Sequence, residues 1–63
     1  MSNYQERVIV EREELNSKLS GLDAFIQMDS YDELDTNNQQ LLSDQQEVMA
    51  KYSTILGKRI ELF

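Results

Sequence analysis

The chain has no cysteine, no histidine and no proline, and only two glycines. Without cysteine there are no disulfides and no thiolate metal sites, and without histidine most zinc sites are excluded as well. The same two absences remove the groups on which nucleophilic triads and zinc-hydrolase motifs depend. Gly21 and Gly57 each stand alone within a helical pattern, so there is no glycine-rich loop to cradle a phosphate. Long hydrophobic runs are missing too. The longest, Val8-Ile9-Val10, falls far short of a membrane span, and no basic-then-apolar signal segment opens the chain. A soluble cytoplasmic protein with no membrane association is expected.

Positive charge is scarce. Six Lys and Arg face twelve Asp and Glu, a formal net charge of -6, so the overall field repels long nucleic acids. Carboxylates are plentiful at Glu11, Glu13, Glu14, Asp32, Glu33 and Asp35, but adjacent acids on short helices form a solvated face, and so few residues hardly build a sheltered site for acid–base chemistry. A non-enzymatic protein without a cofactor or metal is expected, with its function in binding.

With 63 residues the chain makes one domain, 1–63. A domain of this size buries only about 60% of the surface its unfolded chain exposes. Small chains compensate with disulfides, a metal or oligomerisation, and here oligomerisation is what remains.

What is present is helical periodicity. In the last third, Leu41, Val48, Tyr52, Ile55 and Leu62 form one apolar row, and Leu42, Met49, Leu56, Ile60 and Phe63 form a second beside it. Two adjacent rows call for partners on more than one side. Nearer the start, from about Asn3 to Gln27, Val8, Arg12, Leu15, Leu19, Leu22 and Ile26 alternate steps of four and three, a heptad seam. Ser2 or Asn3 is placed to cap it, with Gln5 or Glu6 completing a capping box. Arg12 occupies a seam position: either its stem packs while its head reaches a carboxylate at the rim, or it points inward at an anion or an interface partner. Ile9 points away from the seam, and Gly21 marks either a bend or a close approach by another backbone or a ligand.

Between these segments, Ser30-Tyr31-Asp32-Glu33 has the form of a capping box with Leu34 as an apolar anchor, and Thr36 is the expected N-cap of the last helix. The predicted fold is all-α: two long antiparallel helices of roughly 36 and 40 Å joined by a short helical turn. A hairpin of this kind leaves much apolar surface uncovered, so a compact homo-oligomeric bundle is expected.

The candidate binding groups are cations and aromatics. Gly57-Lys58-Arg59 would let a phosphate approach the backbone within reach of a guanidinium, Lys18 and Ser20 lie near Gly21, and Tyr4 offers a face on which a base stacks. Each also has a plainer reading. Lys58 and Arg59 complement the helix dipole, Lys18 pairs with Glu14, and Tyr4 staples the helix start.

Two strings carry a family resemblance: QERVIVEREELNSKLSGLDAFI, residues 5–26, and EVMAKYSTILGKRIELF, residues 47–63. Their pattern, RV-x-x-E-x-x-E-L-x-x-K-L-x-x-L-x-x-F-I followed by M-x-x-Y-S-x-I-L-G-x-R-I, resembles that of the phage-encoded anti-CBASS sponges for cyclic oligonucleotides. The resemblance implies a compact helical homohexamer in the host cell cytoplasm that sequesters cyclic dinucleotides, with cyclic trinucleotides as a further ligand class, and thereby blunts bacterial immunity. It implies a dinucleotide pocket using Tyr4 and Lys18, and a separate trinucleotide pocket using Ser20 and Arg59. A reading from a different class is a small helical phage scaffold or adaptor that binds another protein through its spare apolar row.

Overall fold

The computed structural model describes residues 3–63. Three helices follow in order: α1, Tyr4–Ile26; a single turn α2, Asp29–Asp32; and α3, Thr36–Glu61. The two long helices pack antiparallel into a rod 45 × 17 × 13 Å in extent.

The helix boundaries follow from local hydrogen bonding. Asn3 caps α1, its Oδ1 accepting from the Glu6 amide at 2.9 Å. Ser2, the other capping candidate, lies outside the described residues. At the start of α3 the cap is Asp35 and not Thr36: the Asp35 carboxylate accepts from the Asn38 amide at 2.8 Å, and Thr36 is already helical. A carboxylate here also meets the positive end of the helix dipole, which a threonine hydroxyl does not do. Nor does Ser30 cap the short turn. That turn begins one residue earlier, after Met28, with no side-chain cap. The connection is pinned instead by Tyr31. Its hydroxyl donates to the Gln39 carbonyl at 2.9 Å, while Gln39 Nε2 donates to the Tyr31 carbonyl at 2.9 Å. Phe25 meets the Tyr31 ring edge-on, with centroids 6.5 Å apart.

Every position of the α1 seam turns inward. Val8 and Leu15 are buried, and Arg12, Leu19, Leu22 and Ile26 are partly so. From α3 only the second apolar row meets it: Leu56 has no exposed surface, with Met49 and Ile60 packed around the same core. Phe63, at the end of that row, instead closes edge-on against Tyr4, centroids 5.6 Å apart.

Beside this narrow core runs a polar ladder. Ser53 Oγ donates to Asn16 Oδ1, Gln46 Nε2 donates to Asp23 Oδ1, and Gly57 receives the Arg12 side chain. The residue numbers of each pair add to the same total, which is the signature of two antiparallel helices in one fixed register. Ser53 is buried, so its hydrogen bond offsets a desolvation cost that the helix pair would otherwise carry.

Among the described residues nothing packs over the first apolar row of α3. Leu41, Val48, Tyr52, Ile55 and Leu62 range from 41% exposed at Tyr52 to 87% at Leu62, and Ile9 on α1 is also exposed. The accessible surface is 4926 Å², against roughly 4200 Å² for a compact monomer of this mass.

Two outcomes test this packing. Leu56→Ala should lower the unfolding free energy by about 3 kcal/mol in urea titrations, because the helices pack too tightly there to fill the void. Asp35→Ala should cost about 1 kcal/mol and Thr36→Ala only a few tenths, the reverse of what capping by Thr36 would give.

Candidate functional site

Lys18 and Ser20 are two residues apart on α1 and therefore project to different sides of it. Ser20 is one turn beyond Asn16 and lies on the edge of the hairpin that carries the polar ladder. Lys18 projects to the opposite edge. Tyr4 shares a side of α1 with Lys18 but stands fourteen residues away, about 21 Å along the axis, more than one nucleotide can bridge. Arg59 sits in the last turn of α3, in line with the exposed apolar row and away from the ladder. In the register of the ladder, Ser20 lies level with Met49, ten residues from Arg59 and about 15 Å from it along the axis.

The four candidate residues are therefore not brought together within one chain. All four are exposed, Tyr4 at 56% even with Phe63 against its ring. The Phe63 contact makes Tyr4 part of the closure between the two helix ends, as a staple would be, while leaving a ring surface open. Lys18 does not pair with Glu14. Among the described residues the ion pair found is Lys51 with Glu47, at 3.3 Å on α3. Lys58 and Arg59 do occupy the α3 C-terminal turn, where they oppose the helix dipole.

Both glycines depart from expectation. Nothing lies within 4 Å of where a Cβ would stand on Gly21, so no backbone approaches it, and α1 runs through it unbroken. At Gly57 the space is taken. The Arg12 guanidinium covers it, with Cζ and Nη2 2.8 Å and Nη1 3.0 Å from a Cβ built there. A ligand phosphate cannot use that approach to the backbone while Arg12 remains in place. Arg12 likewise does not send its head to a carboxylate at the rim, and its Nε is buried without a hydrogen-bond partner.

The ladder residues Asn16, Asp23, Gln46 and Ser53 were not among the sequence candidates. Their signal is a mirrored spacing: steps of four then seven from Arg12 through Asn16 to Asp23, and seven then four from Gln46 through Ser53 to Gly57.

The hollows on the surface are shallow and open. One runs along the outer side of α1, where Val10 is bordered by Glu6, Glu11 and Glu14 with Arg7. The other follows α3, with Ile55, Thr54 and Ala50 bordered by Lys51 and Lys58. Neither includes Tyr4, Lys18, Ser20 or Arg59. No helix among the described residues is long and apolar enough to cross a membrane.

A family model described as Sequestin matches residues 2–62, nearly the whole chain. No curated protein and no solved structure matches it.

Because Lys18 and Arg59 are exposed and take part in no internal ion pair, Lys18→Gln and Arg59→Gln should each change stability by less than about 0.5 kcal/mol in urea titrations. A larger loss at either position would mean that the side chain holds the fold together.

Proposed function

The chain belongs to the Sequestin family, and on that premise we propose that it sequesters cyclic dinucleotides of the bacterial CBASS system and holds them without cleaving them. The family's name fits retention of a small ligand. The observation that carries the reading is that Lys18 and Tyr4 remain open to solvent, with no counter-charge on the lysine among the described residues. A flat aromatic face stacks a base, and an ammonium pairs with a phosphate.

The separation of these two residues favours a pocket shared between copies, with Tyr4 from one chain and Lys18 from another. A cyclic dinucleotide has two bases and two phosphates with approximate two-fold symmetry, so a two-fold axis would supply each contact twice. The pairing of Ser20 with Arg59 for a cyclic trinucleotide needs separate copies for the same reason, since one chain places them on different sides. A homohexamer, which the resemblance implies, would supply both kinds of junction.

Assembly is supported by the exposed row Leu41, Val48, Tyr52, Ile55 and Leu62, a continuous apolar face of the kind that soluble monomers avoid. The two hollows add a second support. Glutamates border Val10 on α1 and lysines border Ile55 on α3, so the outer faces of different copies are complementary in charge. No reaction is assigned in this reading. The site of action in this reading is the host cell cytoplasm during phage infection. The same exposed row also suits the other class of function, an adaptor that captures a protein partner.

Isothermal titration with cyclic GMP-AMP separates the two. Lys18→Ala and Tyr4→Ala should each weaken binding at least about tenfold, the loss expected when a charge-assisted hydrogen bond or a stacked base is removed, with the assembly intact. Arg59→Ala should spare the dinucleotide and weaken a cyclic trinucleotide. Unchanged dinucleotide affinity in both of the first two variants rejects the pocket. Absence of binding by the wild-type chain favours the adaptor.

A further inference from the structure

Of the six Lys and Arg residues, Arg12 alone is not exposed. It lies within the interface of α1 and α3, yet none of the twelve carboxylates comes within ion-pairing distance of it, and its Nε is sealed from solvent without a partner. A charged group in this position is ordinarily paired, and an unpaired buried donor calls for a physical explanation. Asn16 and Ser53, each one turn along its helix from Arg12 and Gly57, are hydrogen-bonded to each other, and neither accepts a bond from Arg12 Nε.

The placement of the side chain is specific. Cζ, Nη1 and Nη2 lie at almost equal distances from a Cβ built on Gly57, so the guanidinium rests flat on that residue. Its N–H bonds lie in its own plane and so run along the surface of α3 instead of into it. Only a glycine leaves room for this. Any other residue at position 57 would displace the group, and glycine otherwise weakens a helix interior. A flexible arginine with no role would extend into water, where all its donors are hydrated. Here it is held back, with a planar fork of donors presented on the ladder edge of the hairpin.

We infer that Arg12, seated on Gly57, is a binding position for an oxyanion from outside the chain, a phosphate or a carboxylate that accepts N–H bonds from Nη1 and Nη2, while the sealed Nε stays inside the interface. It is distinct from Lys18, which projects to the other edge, and from Arg59, on the exposed row of α3. The oxyanion has two available sources: a small phosphate-bearing molecule, or a carboxylate of a second copy, of which this acidic chain has many.

Two substitutions isolate the position. Arg12→Gln removes the charge. Gly57→Ala keeps the charge but pushes the guanidinium off its seat, and because alanine favours helix it should leave the fold in place even if Arg12→Gln does not. Thermal unfolding would be followed in inorganic phosphate and in chloride at equal ionic strength, with copy number measured by native mass spectrometry over a range of protein concentrations. If the source is a phosphate, the wild-type midpoint rises by about 5 °C in phosphate and both variants lose the rise. If it is a carboxylate of a second copy, phosphate has no effect on the wild type, and both variants form fewer-chain species at the same concentration. Variants that match the wild type in both measurements overturn the inference. So does a phosphate response lost in Arg12→Gln but kept in Gly57→Ala, because the seat would then be irrelevant.

Discussion

The close approach of α1 and α3 around Leu56 and Gly57 is the constraint on which the rest depends. Leu56 has no exposed surface, Gly57 leaves the space that the Arg12 guanidinium fills, and Ser53 one turn earlier is buried and bonded to Asn16. Helices that meet through a leucine, a glycine and a serine can pack closely only in one register, and the Asn16–Ser53 and Asp23–Gln46 hydrogen bonds fix which register that is. Sliding by one turn would break both bonds, placing Asn16 and Asp23 opposite Met49 and Leu42 in one direction or Gly57 and Ala50 in the other. The polar ladder therefore selects the pairing, while the few buried apolar side chains drive it.

That register decides what the chain can bind. It uses the second apolar row of α3 and turns the first outward. It sends Lys18 to one edge of the hairpin and Ser20 to the other, with Tyr4 and Arg59 too far along the rod to join either one in the same chain. The candidate pairs Tyr4 with Lys18 and Ser20 with Arg59 are thus held apart within one chain. The net charge of -6 sets a further condition. Long polyanions are repelled by the whole, and small anions depend on the few cations left without internal partners.

Much of this was legible in the residues. The alternation of fours and threes from Val8 to Ile26 gave α1 and its inward face, and the paired rows after Leu41 anticipated that one helix could not cover α3. The boundaries were less accessible. Asp35 and Thr36 are both good N-caps by type, and only the helical geometry at Thr36 decides between them. Arg12 was visible as an intruder in the seam, but its destination depended on Gly57, forty-five residues later, through a register that no local pattern states. The two glycines look alike in sequence. One faces open space and the other holds a guanidinium, a difference that arises entirely from packing. Tyr4, Lys18, Ser20 and Arg59 were legible as a set only through the family resemblance, and one chain holds them apart.

The most direct test of the central claim is native mass spectrometry of the purified chain with cyclic GMP-AMP at matched ionic strength, followed by release and chromatography of whatever is bound. A discrete oligomer carrying one nucleotide per pair of chains, released chemically intact, is expected. A monomer that retains the nucleotide would contradict it, because one chain would then suffice for a pocket that its register divides between edges. A nucleotide released in cleaved form would contradict sequestration itself.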